Sequence, residues 1–144
     1  MLIIDTGSLL AQLEPDTELS RRVAWFLRQE ADDLVMPQPV AAELDYMLTA
    51  RGGRGANESL LRDLAADRFQ VPCLEPADFA TVAALNQQYY DLDLGLTDLS
   101  IVVMAARYRT LRLLSIDQRH FRVIRPLQGG SFVLVPFDEP VPPR

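Results

Sequence analysis

The chain has 144 residues, a formal net charge of −6 and 49% hydrophobic residues, which points to one domain with a real core and excludes the disordered classes. No apolar run approaches the roughly 18 residues of a membrane span, and Asp5 breaks the N-terminal apolar stretch before it can serve as a signal peptide. The acidic balance argues against a sequence-independent DNA binder, which needs a basic surface, but is compatible with an enzyme whose acids hold a cation.

In chain order, Leu2–Ile4 read as a short buried strand running into Asp5-Thr6-Gly7-Ser8, with a helix starting near Ser8. Asp16 to Glu30 reads as a helix, with Leu19, Val23, Phe26 and Leu27 at helical spacing and Asp16 as N-cap. Leu34 to Met36 is a short strand. Gln38-Pro39 opens a helix with proline in its first turn, and this helix stops near Arg51-Gly52-Gly53. Asn57 to Asp67 is helical, Gln70 to Cys73 is extended, and Pro76 to Tyr90 is helical again. A loop over Asp91–Leu96 precedes an apolar helix at Thr97–Arg109, with Thr97 as its cap. Leu111 to Ile116 and Ser131 to Val135 are the last strands, and a proline-rich tail follows. Strands alternating with helices predict an α/β protein whose short parallel sheet is covered on both faces.

The single Cys73 is expected to be a packed thiol in a reducing cytoplasm. All basic side chains apart from His120 are arginine. The absence of lysine makes the P-loop, which needs one for its phosphates, a poor candidate. It also makes phosphoaspartate receivers and haloacid-dehalogenase-type phosphatases poor candidates.

Four acids stand where a merely solvated acid does not belong. Asp5 and Asp117 follow apolar strands, and ligands of open parallel sheets bind beyond strand C-termini. Either could instead cap a short helix. On a helical wheel Glu43 falls about 80° from the centre of the face formed by Val40, Leu44, Met47 and Leu48, a boundary position also open to an ordinary surface glutamate. Asp98 shares a direction with Ile101, Val102 and Ala105, at the positive end of its helix, while Ser100 and Arg107 mark the polar face. Converging carboxylates repel and raise one another's pKa. A hard divalent cation, Mg²⁺ or Mn²⁺, resolves that conflict, and no Cys/His cluster suggests zinc.

These segments, IIDTGSLLA, PQPVAAELDYML, GLTDLSIVVMAAR and LLSIDQRHFRVIRP, occur in an order that resembles the PIN-domain family, and more closely the VapC-type toxins of bacterial type II toxin–antitoxin systems. The resemblance covers residues 1–136, a single PIN domain, with 137–144 as tail. It implies a three-layer α/β/α fold and an Mg²⁺- or Mn²⁺-dependent endoribonuclease that leaves a 5′-phosphate and a 3′-hydroxyl. It carries catalytic roles onto Asp5, Glu43, Asp98 and Asp117, with Asp5, Asp98 and Asp117 as metal ligands. Thr6, Ser8 and Ser115 become supporting hydroxyls, with serine at 115 where the family often has threonine. Asp93 is a lower-ranked accessory ligand. Arg119, His120 and Arg122 are candidate RNA contacts, as are Arg51, Arg54 and Arg125. Trp25 reads as packing rather than base stacking. The implied partners are RNA, a small antitoxin whose tail enters the acidic site, and a second copy of the chain. The alternative is a catalytically weak PIN-like module that binds RNA or protein without cutting.

Overall fold

The computed structural model describes residues 1–142. Four parallel strands, β1 (Leu2–Ile4), β2 (Leu34–Val35), β3 (Arg112–Leu114) and β4 (Val133–Val135), form one sheet in the order β2-β1-β3-β4. Helices cover it, giving the α/β/α arrangement expected. Leu2, Ile3, Ile4, Leu113, Leu114 and Leu134 have no measurable exposure. Strands apolar on both faces are what a parallel sheet covered on both faces requires.

The helices are α1 (Thr6–Leu10), α2 (Glu18–Gln29), α3 (Gln38–Gly52), α4 (Glu58–Ala65), α5 (Pro76–Gln88), α6 (Leu96–Arg107) and α7 (Gln118–Phe121). The cap of α2 is Thr17, whose hydroxyl accepts from Ser20 N–H at 3.1 Å, not Asp16. Helix α3 ends as predicted, with Gly53 at φ 79° immediately after it. Helix α6 starts one residue early, after Gly95, and Leu99 to Ala105 are all buried. Ser100 is therefore not on a solvated face; it is buried and returns its hydroxyl to the Thr97 carbonyl at 2.6 Å. Burial in the core also accounts for the nearly all-round apolarity of α6, without recourse to a subunit interface.

Two further expectations are corrected. Gln70–Cys73 joins the sheet only through a bridge between Val35 and Gln70, so Cys73 lies outside the core and is exposed. Asp117 does not end a strand, because β3 stops at Leu114 and Asp117 caps α7. The part of the tail at 143–144 lies outside the described residues. Before it, Asp138 and Glu139 hold Arg122 and Arg112.

At the start of β3, Arg112 donates to Glu30 at 2.8 Å and to both oxygens of Glu139 at 2.7 and 2.8 Å. This ties the end of α2 and the segment after β4 to one central strand.

Candidate active site

The chain leaves β1 toward β2 on one side and reaches β3 on the other, so β1 and β3 flank the point where strand order reverses. Open α/β sheets bind ligands in the crevice at that point. A cleft of about 600 Å³ opens there, and its lining includes Asp5, Glu43, Asp98 and Asp117. Two strand–helix junctions, the first turn of α6 and one face of α3 thus deliver the four acids to one place.

Each acid is held by its own neighbour. Asp5 is almost fully buried, at 6% exposure. Its backbone occupies the N-cap position of α1, but its side chain makes no capping bond. Instead, Ser115 Oγ donates to Asp5 Oδ2 at 2.6 Å. The same Ser115 oxygen accepts from Asp117 N–H at 3.0 Å, linking the ends of β1 and β3. Glu43 sits on the exposed side of α3, and its Oε2 accepts from Thr6 Oγ1 at 2.6 Å. Thr6 therefore orients Glu43, 37 residues away in sequence, rather than the neighbouring Asp5. Ser8 does not reach a carboxylate; it donates to the Asp5 main-chain carbonyl at 2.7 Å and fixes the turn. Asp98 Oδ2 accepts from Gly95 N–H at 3.2 Å, closing the first turn of α6. A Cβ added at Gly7 would lie 3.2 Å from Ile116 Cγ1, so glycine lets α1 approach the β3–α7 loop.

The electrostatics follow from this crowding. Burial pushes the Asp5 carboxyl up from 3.8 to about 6; the Ser115 hydrogen bond opposes this, and the charges of Asp98 and Asp117 reinforce it. Asp98 is also raised, first by burial, with the Gly95 N–H opposing and the Asp117 and Glu43 charges adding. Like charge concentrated in a partly dry cleft is the condition a divalent cation relieves. The all-oxygen donor chemistry fits Mg²⁺ or Mn²⁺. Among the described residues, however, no three His, Cys, Asp or Glu groups are gathered tightly enough to form a ready-made metal site.

Asp117 is the most engaged of the four. Its Oδ1 accepts from His120 N–H at 3.0 Å, and its Oδ2 lies 2.7 Å from His120 Nδ1. His120 thus faces Asp117. Arg122 is bound by both oxygens of Asp138 at 2.7 Å. Arg119 has no carboxylate partner among the described residues. Asp93 sits in a left-handed turn, exposed, and does not line the cleft. Arg51 does line it, on the same face of α3 as Glu43 and Met47.

The PIN domain model matches residues 2–126. The chain belongs to the PIN-domain family. Ribonuclease VapC26 of Mycobacterium tuberculosis is 36% identical over 135 residues, covering 94% of this chain and 100% of that relative. Among solved structures, the fold is similar to that of Mycobacterium tuberculosis VapC20, described as a sarcin-ricin loop cleaving toxin. The TM-score is 0.73 at 10% identity, over 83% of this chain and 92% of that one. It is also similar to VapBC2 from Rickettsia felis, bound to a promoter DNA fragment. There the TM-score is 0.65 at 16% identity, over 92% of this chain and 96% of that one. FitAcB from Neisseria gonorrhoeae matches with a TM-score of 0.57 at 19% identity, over 81% of this chain and 88% of that one. At these identities the solved structures speak for the PIN fold.

Proposed function

We propose that this PIN domain is an Mg²⁺- or Mn²⁺-dependent endoribonuclease, the toxin of a type II toxin–antitoxin pair, acting in the cytoplasm. The observation that carries the reading is the meeting of Asp5, Glu43, Asp98 and Asp117 in one cleft at the strand-order switch, in a chain 36% identical to a relative named a ribonuclease.

Asp5, Asp98 and Asp117 are the groups that would hold the cation. When bound, it supplies Lewis acidity toward the phosphodiester and a more acidic water. The chain's own residues do the rest. Ser115 holds the Asp5 carboxylate in one orientation and ties it to the Asp117 backbone. Glu43, the most accessible of the acids and fixed by Thr6, accepts the proton of the attacking water. His120 holds both Asp117 oxygens at the first turn of α7 and so fixes that carboxylate's position. Arg51 supplies positive charge to an otherwise acidic cleft.

Residues 1–136 act as the single domain, with 137–144 as its tail. An apolar groove of about 790 Å³, whose walls include Leu9, Leu13, Leu27, Leu44, Leu48 and Leu60, lies beside the cleft. Helices α1 and α3 line both, so a small antitoxin seated in the groove can send its tail among the acids. A homodimer is supported by large apolar side chains left exposed, including Phe79, Tyr90 and Leu96.

The deciding experiment incubates antitoxin-free protein with total RNA in Mg²⁺, in Mn²⁺ and in chelator. Discrete metal-dependent cuts are expected. RNA bound but left intact in both metals would favour the non-cutting module instead.

A further inference from the structure

A third cavity shares no lining residue with the acidic cleft and meets the apolar groove only at Arg28. It has a volume of about 650 Å³ and lies between α2 and the segment after β4. One wall carries Arg21, Arg22, Trp25 and Arg28; the other carries Pro140 and Pro142. Arg21, Trp25 and Arg28 are spaced four and three residues apart, so they form one stripe of the helix.

Three arginines gather around this one cavity. Acids outnumber Lys and Arg by 20 to 14, and Arg68, Arg107, Arg112 and Arg122 each pair with a carboxylate. Among the described residues, Arg21, Arg22 and Arg28 do not. Arg21 donates only to the Asp16 carbonyl and Arg22 only to the Pro136 carbonyl, which leaves most of the five N–H donors of each guanidinium unused. The one acid in the cavity wall, Glu18, is not within ion-pair distance of them. Three guanidiniums with no carboxylate partner among the described residues, around one cavity, repel one another, and an anion relieves that repulsion.

Trp25 adds a second requirement. It is half-buried, and its ring is fixed edge-on against Phe26, with centroids 4.7 Å apart at 85°. A fixed aromatic ring between arginines is the combination that binds single-stranded nucleic acid: a stacking surface for a base and cations for the phosphates on either side. The location agrees. Thr17 and Leu19, at the start of α2, line the acidic cleft. From Leu19 to Arg28 the helix rises about 14 Å. Thr17 stands four residues before Arg21 and leads into the stripe, whereas Leu19 is on the opposite side of the helix, so a strand leaving the cleft at Thr17 passes over Arg21, Trp25 and Arg28 in turn.

We infer that this stripe is a second binding site for single-stranded RNA, in which Arg21 and Arg28 hold phosphates and Trp25 stacks a base. The site rests on the ribonuclease reading, since it holds the same strand that the cleft cuts. Trp25, read from the sequence as packing, then serves both roles, since it packs against the core and also lines the cavity.

The test titrates a short labelled oligouridine into the full chain in EDTA, where no cutting occurs. Trp25 is the only tryptophan, so its emission reports the site directly and is expected to be quenched. Replacing both arginines (R21Q with R28Q) should weaken binding about five- to tenfold and lower the log–log salt slope by about 1.4, two phosphates at ~0.7 each. Restoring charge with R21K and R28K should restore the slope. Trp25→Leu should weaken binding at least fivefold with the slope unchanged. With metal, the Gln pair should raise KM for long RNA and leave kcat unchanged. An unquenched Trp25, or an unchanged slope in the Gln pair, overturns the site. So does equal quenching and displacement by oligoglutamate of matched charge, which would assign the stripe to an acidic protein segment. Failure of the ribonuclease reading is seen separately, as RNA left uncut in both metals.

Discussion

The two ends of β3 treat carboxylates in opposite ways. At its start, Glu30 and Glu139 share Arg112, and Glu30 is held below its ordinary 4.5, chiefly by the Arg112 hydrogen bond. Beyond its end, Asp5, Asp98 and Asp117 line one cleft with no arginine bridging them among the described residues; Asp5 is raised by burial and then by the Asp98 and Asp117 charges, and Asp98 by burial and then by the Asp117 and Glu43 charges. The first arrangement lowers the free energy of the fold. The second raises it and is kept by the surrounding structure, which is what a site poised for a cation looks like.

The largest expected effect breaks the acidic end. Asp5→Asn or Asp98→Asn should reduce RNA cleavage by about a thousandfold, roughly 4 kcal/mol of transition-state stabilisation. Asp5→Asn should at the same time make the metal-free protein more stable at pH 7.5, by about 1–2 kcal/mol, because a neutral amide accepts from Ser115 without the buried charge. Equal or lower thermal stability of Asp5→Asn would remove the contrast between the ends.

Arg112→Ala breaks the paired end. It strands Glu30 and Glu139, both less than a third exposed, and should cost about 2 kcal/mol, seen as a fall in Tm of about 4–8 °C, with cleavage at 25 °C little changed.

pH separates the two ends in one protein. Between 3.8 and about 6, native Asp5 binds a proton that the unfolded chain has lost. Its contribution to stability therefore falls as pH rises through that interval. Glu30 has the opposite sign: its pairing contributes above 4.5 and is lost as pH falls below that value. In EDTA, Tm should peak near pH 5 and decline toward pH 7, and Mg²⁺ or Mn²⁺ should restore it above pH 6. A Tm that is flat from pH 5 to 7 in EDTA would contradict the buried charge at Asp5.

The smallest effect is at the hydroxyl joining Asp5 to Asp117. Ser115→Ala should cost about 1 kcal/mol. Because Ser115 lowers the Asp5 carboxyl, its loss should move the acid limb of the pH–rate profile upward by less than about one unit.

Much of this was legible in the sequence. Strands apolar on both faces, a proline-started helix and a glycine stop located β1, β3, β4 and α3 within a few residues, because each signal is local. The four acids were visible as misfits against apolar neighbours, and the structure places them in one cleft. What could not be read was pairing between distant groups. Nothing near Thr6 says that its hydroxyl serves Glu43, and nothing near Ser115 says that it bridges two strand ends. The burial of Ser100 escaped because a helix covered on every side has no polar face to find. Cys73 misled because an apolar tetrapeptide marks burial only when it joins the sheet. The arginine stripe of α2 was hidden by composition, since counting charges does not reveal which arginines go unpaired.

Strand β1 consists of Leu2–Ile4, yet it lies between β2 and β3 in the centre of the sheet. Asp117 leaves the ribosome 112 residues after Asp5. At 5–20 residues per second that gap is roughly 5–20 s. During it the first acid has neither Ser115 nor a neighbouring central strand. A nascent chain of this topology therefore has no complete acidic cleft until Asp117 has emerged and β3 has paired with β1.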